Sequence, residues 1–322
     1  MYEFYLNTNR HTMKNKWEEL NADEFLFLFE LLQQYKEGEL SVGDVRTQMV
    51  LRLFNVDKVK IRTREQESHF TENIYRLQSQ LRFVFRIEYD DERFASLSPA
   101  LKKTLSRCEP EATSPNAEER LACRFKRHYE IDSVFCRNLI PEIAGIPGYR
   151  LDNDSGILVS DLTASRFCDA VTISDAFIRS GSIQQLNTLV SILYFDGVYE
   201  SSTAHQRARF FESVPKNIKE CVFFNFQSIL SFIYNQTKYR VLFGRGDQKT
   251  SPYNGGLSAS LLSMGKRFGG VQAVGNAGLI DFLEMMLDSL IEYVRELNAM
   301  DKSLSEIASK TKLDVKTIND ML

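Results

Sequence analysis

The stretch from Asp161 to Tyr199 limits what this chain can fold into more than any other. Leu162 and Thr163 sit where a helix begins, and Phe167, Ala170, Val171, Ser174, Phe177 and Ile178 recur at the spacing of one helical face. Thr163 can cap that start, although Arg166, three residues on, supplies no acid for a reciprocal capping box. Gly181 interrupts the pattern, and Ile183, Leu186, Leu189, Val190, Leu193 and Tyr194 resume it. Two consecutive helices with apolar stripes must bury them against further helices, so the spacing predicts a helical core around this pair.

The rest of the chain agrees with that frame. Asn21 caps a helix through Phe25, Leu28, Phe29 and Leu32, and Leu26, Phe27 and Leu31 widen its apolar face until it runs nearly all round. Ser41 caps the next helix, and Val56 to Ile61 reads as a short strand or connector. Phe70 to Arg82 is helical by spacing. Phe83 to Tyr89 and Cys123 to Ile131 alternate as two strands of one antiparallel hairpin would, and Tyr2 to Leu6 is a third short strand. Ser96 to Glu119 carries three of the seven prolines and reads as a mobile insert with one helix around Pro99 to Arg107. Tyr149 to Val159 is turn-rich and reads as a connector. Cys221 to Tyr234 is a strongly apolar helix, too short to cross a bilayer.

The expected fold is therefore mainly α, a multi-helix bundle-like domain with a small antiparallel β element near the N-terminal half. The expected segments are 1–62, 63–150 with the insert at 96–119, 151–300 as the helical core, and 301–322 as a C-terminal helical hairpin.

Composition narrows function by exclusion. The net charge of −3 gives no overall basic footprint for nucleic acid. Five scattered cysteines without CxxC spacing fit reduced thiols in a cytoplasmic protein, and no signal peptide or membrane span is expected. The four histidines form no zinc pattern. Asp152 and Asp154 place Gly156 one step early for a calcium loop and lack a closing Glu. Gly265-Lys266 fails the phosphate-loop pattern, because Ser260 stands where Gly is needed and Arg267 where Ser or Thr is needed. The alternating cations from Arg124 to His128 read as the solvated face of a hairpin. No catalytic residue, cofactor or metal is expected, and the chain reads as a non-enzyme.

Two surfaces remain as candidates. The Phe-rich helices, through Phe25, Leu28, Phe29 and Leu32 and through Phe223, Phe226, Ile229 and Phe232, would either fill cores or offer a groove to an amphipathic partner helix. At the C-terminus, Ile307, Ala308, Leu313, Val315 and Ile318 fall where a helix-turn-helix unit places small and apolar residues. Lys312, Lys316, Thr317 and Asn319 would then contact DNA. Against this stand Lys312 at the turn position where Gly is commonest, and the lack of a helix after the pair to support it. A hairpin used only for packing is the plainer reading.

Four places resemble proteins from tail-assembly modules of Bacteroidetes phages and prophages, including tail assembly chaperone-like proteins. They are Trp17 to Leu20 with the following Phe-rich helix; Asp161 to Thr163 with Phe167, Asp169, Ala170, Leu193 and Tyr194; the helix and strand from Phe226 to Phe243; and the turn from Met264 to Gly269 before a long helix. This resemblance implies a non-enzymatic cytoplasmic or virion-associated protein of the bacterial host cell. Its expected partner is a tail-tube or tape-measure-like subunit, with no membrane and no nucleic acid. The alternative is a DNA-binding regulator.

Overall fold

A computed structural model describes residues 1–6, 9–54, 64–108, 116–243 and 256–322. It is mainly helical, and its strands, among the described residues, form only two-stranded antiparallel pairs. The chain divides into two compact units, Met1–Ser133 and Val134–Leu322.

In the first unit, β1 (Tyr2–Leu6) pairs with β2 (Asn9–Met13). Helices α1 (Ala22–Lys36) and α2 (Val42–Leu53) both begin with full capping boxes, Asn21 with Glu24 and Ser41 with Asp44. These local signals fix where the helices start whatever packs on them. Helix α3 (Arg64–Gln78) follows and packs on α2. Strand β3 (Phe85–Tyr89) leads to the short helices α4 (Glu92–Ala95), α5 (Pro99–Leu105) and α6 (Ala117–Ala122), then to β4 (Arg127–Ile131). The hairpin expected from alternation is present, with Phe85 opposite Ile131 and Tyr89 opposite Arg127. Residues 109–115 of the insert, and the strand or connector expected at 56–61, lie outside the described residues.

Aromatic packing organises this unit. Trp17 meets Phe25 and Phe83 edge-on, with centroids 6.1 and 5.4 Å apart, and its Nε1 donates to the Asp132 carbonyl at 2.7 Å. The Arg46 guanidinium lies over Phe85 and Tyr129, at 5.9 and 5.5 Å, so a buried cation is held against two ring faces.

The second unit opens with two hairpins, β5 (Glu142–Ile143) with β6 (Ile146–Pro147), and β7 (Leu151–Asp154) with β8 (Ile157–Ser160). The connector expected at 149–159 is thus a hairpin. Ser155 and Gly156, both at positive φ, make its turn, and the residues on either side pair. Helices α7 (Ala164–Ser180) and α8 (Ile183–Leu193) follow as the spacing predicts. Thr163 Oγ1 accepts from the Arg166 amide at 3.3 Å, and Gly181 at φ 63° ends α7.

Then come α9 (Ser201–Arg207), α10 (Lys216–Gln236), α11 (Arg240–Phe243), α12 (Gly256–Arg267), α13 (Val271–Asn276), α14 (Leu279–Ala299), α15 (Leu304–Thr311) and α16 (Val315–Met321). Arg240–Phe243 is a helical turn, not the strand that the resemblance implies. Helix α8 lies at the centre, against α7, α9 and α10, and Leu186, Leu189, Val190, Ile192 and Leu193 are all fully buried. No helix among the described residues is long and apolar enough to cross a membrane.

Candidate functional site at the C-terminal helices

The Phe-rich helices take the core alternative. Phe25, Leu28, Phe29 and Leu32 are at most 3 % exposed, and Phe226 and Ile229 are fully buried. An open groove along these six is excluded in this conformation, because their surfaces already meet the protein's own side chains. Phe223 and Phe232 are half-buried, and Phe223 packs edge-on against Phe177 at 4.8 Å. A helix that is apolar all round was explained by layers on several sides.

Helix α7 and its neighbours hold buried polar side chains whose partners the sequence did not disclose. Arg166 is buried, and its Nε and Nη2 donate to the Ile192 and Leu193 carbonyls, each at 2.8 Å. Those carbonyls end α8, where helical partners run out and partial negative charge collects, so one guanidinium caps the helix. Burial pulls the Arg166 pKa down, while nearby Asp161 and Tyr199 act in the opposite direction. Tyr199 Oη donates to Asp169 Oδ2 at 2.6 Å, and burial together with that carboxylate pushes the phenol up.

Lys219, also buried, donates to Asn187 Oδ1 at 2.7 Å and to the Phe211 carbonyl at 3.2 Å. Asn225 pairs with an extended segment in both senses, accepting from the Leu139 amide and donating to the Arg137 carbonyl, each at 2.8 Å. Gly148 completes the packing, since a Cβ there would meet Tyr194 Cε1 at 2.7 Å. Arg166 and Asn225 are committed to backbone groups, Lys219 to the Asn187 side chain and the Phe211 carbonyl, and Tyr199 to Asp169. Among the described residues, no group of three metal-ligating side chains comes together.

At the C-terminus the arrangement opens outward. Ser303 and Glu306 form a capping box at the start of α15. Asp314 caps α16 by accepting from the Thr317 amide at 2.9 Å and its hydroxyl at 3.1 Å. The two helices are joined by Lys312 to Asp314, a turn of the length a helix-turn-helix uses. Lys312 adopts φ 60°, the left-handed conformation usually given to Gly, and its amide still closes α15 on the Ala308 carbonyl at 2.8 Å. Ile307, Thr311, Leu313 and Ile318 are buried. The supporting third helix precedes the pair: α14 packs against both α15 and α16, and Arg295 Nε donates to the Met321 carbonyl at 3.2 Å.

Of the residues expected to face DNA, Lys312, Lys316 and Asn319 are exposed, whereas Thr317 is half-buried and turns its hydroxyl to Asp314. Lys310 is exposed beside them. Among the described residues, none of Lys310, Lys312 and Lys316 takes part in an ion pair, in contrast to Lys302, which reaches Glu306 at 3.6 Å. Comparison with protein-family models, with characterised proteins and with solved structures returns no match for this chain.

Proposed function

We propose that this chain is a non-enzymatic binding protein that docks on duplex DNA through α15 and α16, with α14 as their support. The observation that carries this reading is the set of three exposed, unpaired lysines, Lys310, Lys312 and Lys316, around a supported two-helix turn. Lysines in that position meet phosphates and fix register, while Asn319 on α16 has the donor and acceptor needed at an adenine edge. The nearest acids interfere less than their number suggests. The Glu306 carboxylate accepts from the Ser303 amide and Asp314 from the Thr317 amide, and only Asp320 stands exposed on α16 without a capping role. The overall charge of −3 makes the interaction weak and local.

The test is fluorescence anisotropy of the full chain with a labelled duplex, over a salt series. Each phosphate contact contributes a slope of about −0.9 in log K against log salt, so three lysines give a slope of about −2 to −3. Replacing Lys312 and Lys316 together by Ala should weaken binding on every duplex and flatten the slope by about 2. Binding that ignores this double substitution, or no binding at low salt, removes the DNA reading.

A second reading has the chain as an assembly or structural protein of a phage or prophage tail, shielding apolar helices of a tail-tube or tape-measure-like partner. It is favoured by exposed apolar side chains in the second unit, among them Phe210, Leu262, Phe268 and Val271, each at least 40 % exposed. Affinity capture from the native cell separates the two readings. Tail subunits without DNA would install the second in place of the first.

A further inference from the structure

All five cysteines lie in described residues, and Cys123 alone is exposed. It closes the C-terminal end of α6, its amide bonded to the Glu119 carbonyl at 2.9 Å. Its sulfur accepts from Arg127 Nη2 at 3.3 Å. The same guanidinium, through Nη1, donates to the Cys108 carbonyl at 3.0 Å, so one side chain spans both cysteines. A second observation brings the two together independently. Cys108 shares a small apolar cluster with Leu105 and Ala122, and Ala122 is the chain neighbour of Cys123. The Cys108 sulfur is held only by a weak 3.6 Å contact to the Thr104 carbonyl, one that a change of rotamer releases.

We propose that Cys123 and Cys108 are a redox-active thiol pair that reacts with a low-molecular-weight disulfide such as oxidised glutathione. The roles follow from exposure. Cys123, open to solvent beside a cation, is the attacking sulfur, and Cys108, whose thiol burial pushes up above its ordinary pKa, is the resolving one. The Cys123 thiolate attacks one sulfur of the small disulfide. The S–S bond breaks, and the other half leaves as a thiolate with the electron pair. Cys108 then loses its proton to solvent and attacks the Cys123 sulfur of the mixed disulfide, expelling the second small thiolate. The protein gives up two electrons and two protons, and one small disulfide becomes two thiols. The product is a Cys108–Cys123 bond between α5 and α6. It does not depend on the DNA reading.

The experiment exposes the full chain to oxidised glutathione and follows intact mass and peptide maps. The expected result is a wild-type protein that ends two hydrogens lighter, with Cys108 linked to Cys123 and Cys136, Cys168 and Cys221 unmodified. Cys108→Ser, and Cys108→Ala as a second variant, should stop at a mixed disulfide on Cys123, and Cys123→Ser should lose the reaction. A mixed disulfide that persists on Cys123 in the wild type would overturn the pair, as would labelling of Cys108 in Cys123→Ser at the wild-type rate. Circular dichroism of each variant ensures that the comparison is made on folded protein.

Discussion

Arg166 shows how a single side chain can hold a junction between helices. Its fork matches two successive carbonyls at the end of α8, and the peptide oxygens it satisfies have no helical partner of their own. Arg166→Met keeps the apolar stem but leaves the Ile192 carbonyl without its donor and the Leu193 carbonyl with only the Tyr149 amide, at 3.0 Å. It should lower unfolding free energy by about 1–3 kcal/mol in a urea titration. Arg166→Lys should fall between the two, because one ammonium on a flexible stem does not reproduce a planar fork. A loss below about 1 kcal/mol for the Met variant would mean that water replaces the guanidinium. None of this was legible in the sequence. At the Thr163 start, Arg166 registers only as the missing acid of a capping box, because its partners lie at positions 192 and 193 and nothing local announces them.

At the scale of elements, the capping boxes are independent small stabilisers, and the one at Ser303 matters most because it sets the start of α15. Ser303→Ala should cost about 1 kcal/mol, read as faster amide exchange in α15 than in the first turns of α14. The same box should loosen in acid. Hydrogen bonds from the Ser303 amide and hydroxyl, with Lys302 nearby, hold Glu306 below the usual carboxylate range. A carboxylate lowered in the folded state stabilises above its unfolded pKa and loses that contribution as pH falls through the folded one. Exchange in α15 should therefore quicken below about pH 4, while Glu306→Gln should already be fast at neutral pH and change little. Starts and stops of this kind were readable in advance, at Asn21, Ser41, Thr163 and Gly181, because capping is decided within four residues. The β7–β8 hairpin was not, since Asp152 to Asp154 carry turn signals into what became paired strand. Nor could periodicity say whether α1 was core or groove, for an all-round apolar helix has no preferred face.

For the whole molecule, the division at Ser133 makes a claim about folding that can be checked directly. The second unit has its own apolar centre in α8, with Phe167, Tyr194, Phe226 and Phe282 fully buried, and its buried Arg166, Lys219 and Asn225 find partners inside the same unit. A segment with its own core and internally satisfied backbone meets the conditions for independent folding. A protein comprising residues 134–322 should therefore be helical by circular dichroism and unfold in one cooperative urea transition. Were DNA docking to belong to α14, α15 and α16 as proposed, this fragment should keep the salt slope of the full chain, since Lys310, Lys312 and Lys316 all lie within it. A fragment that folds but loses that slope would move the basic contacts to the first unit. There, Arg124 is exposed, whereas Lys126 reaches Asp90 at 4.0 Å and Arg127 is committed to the two cysteines.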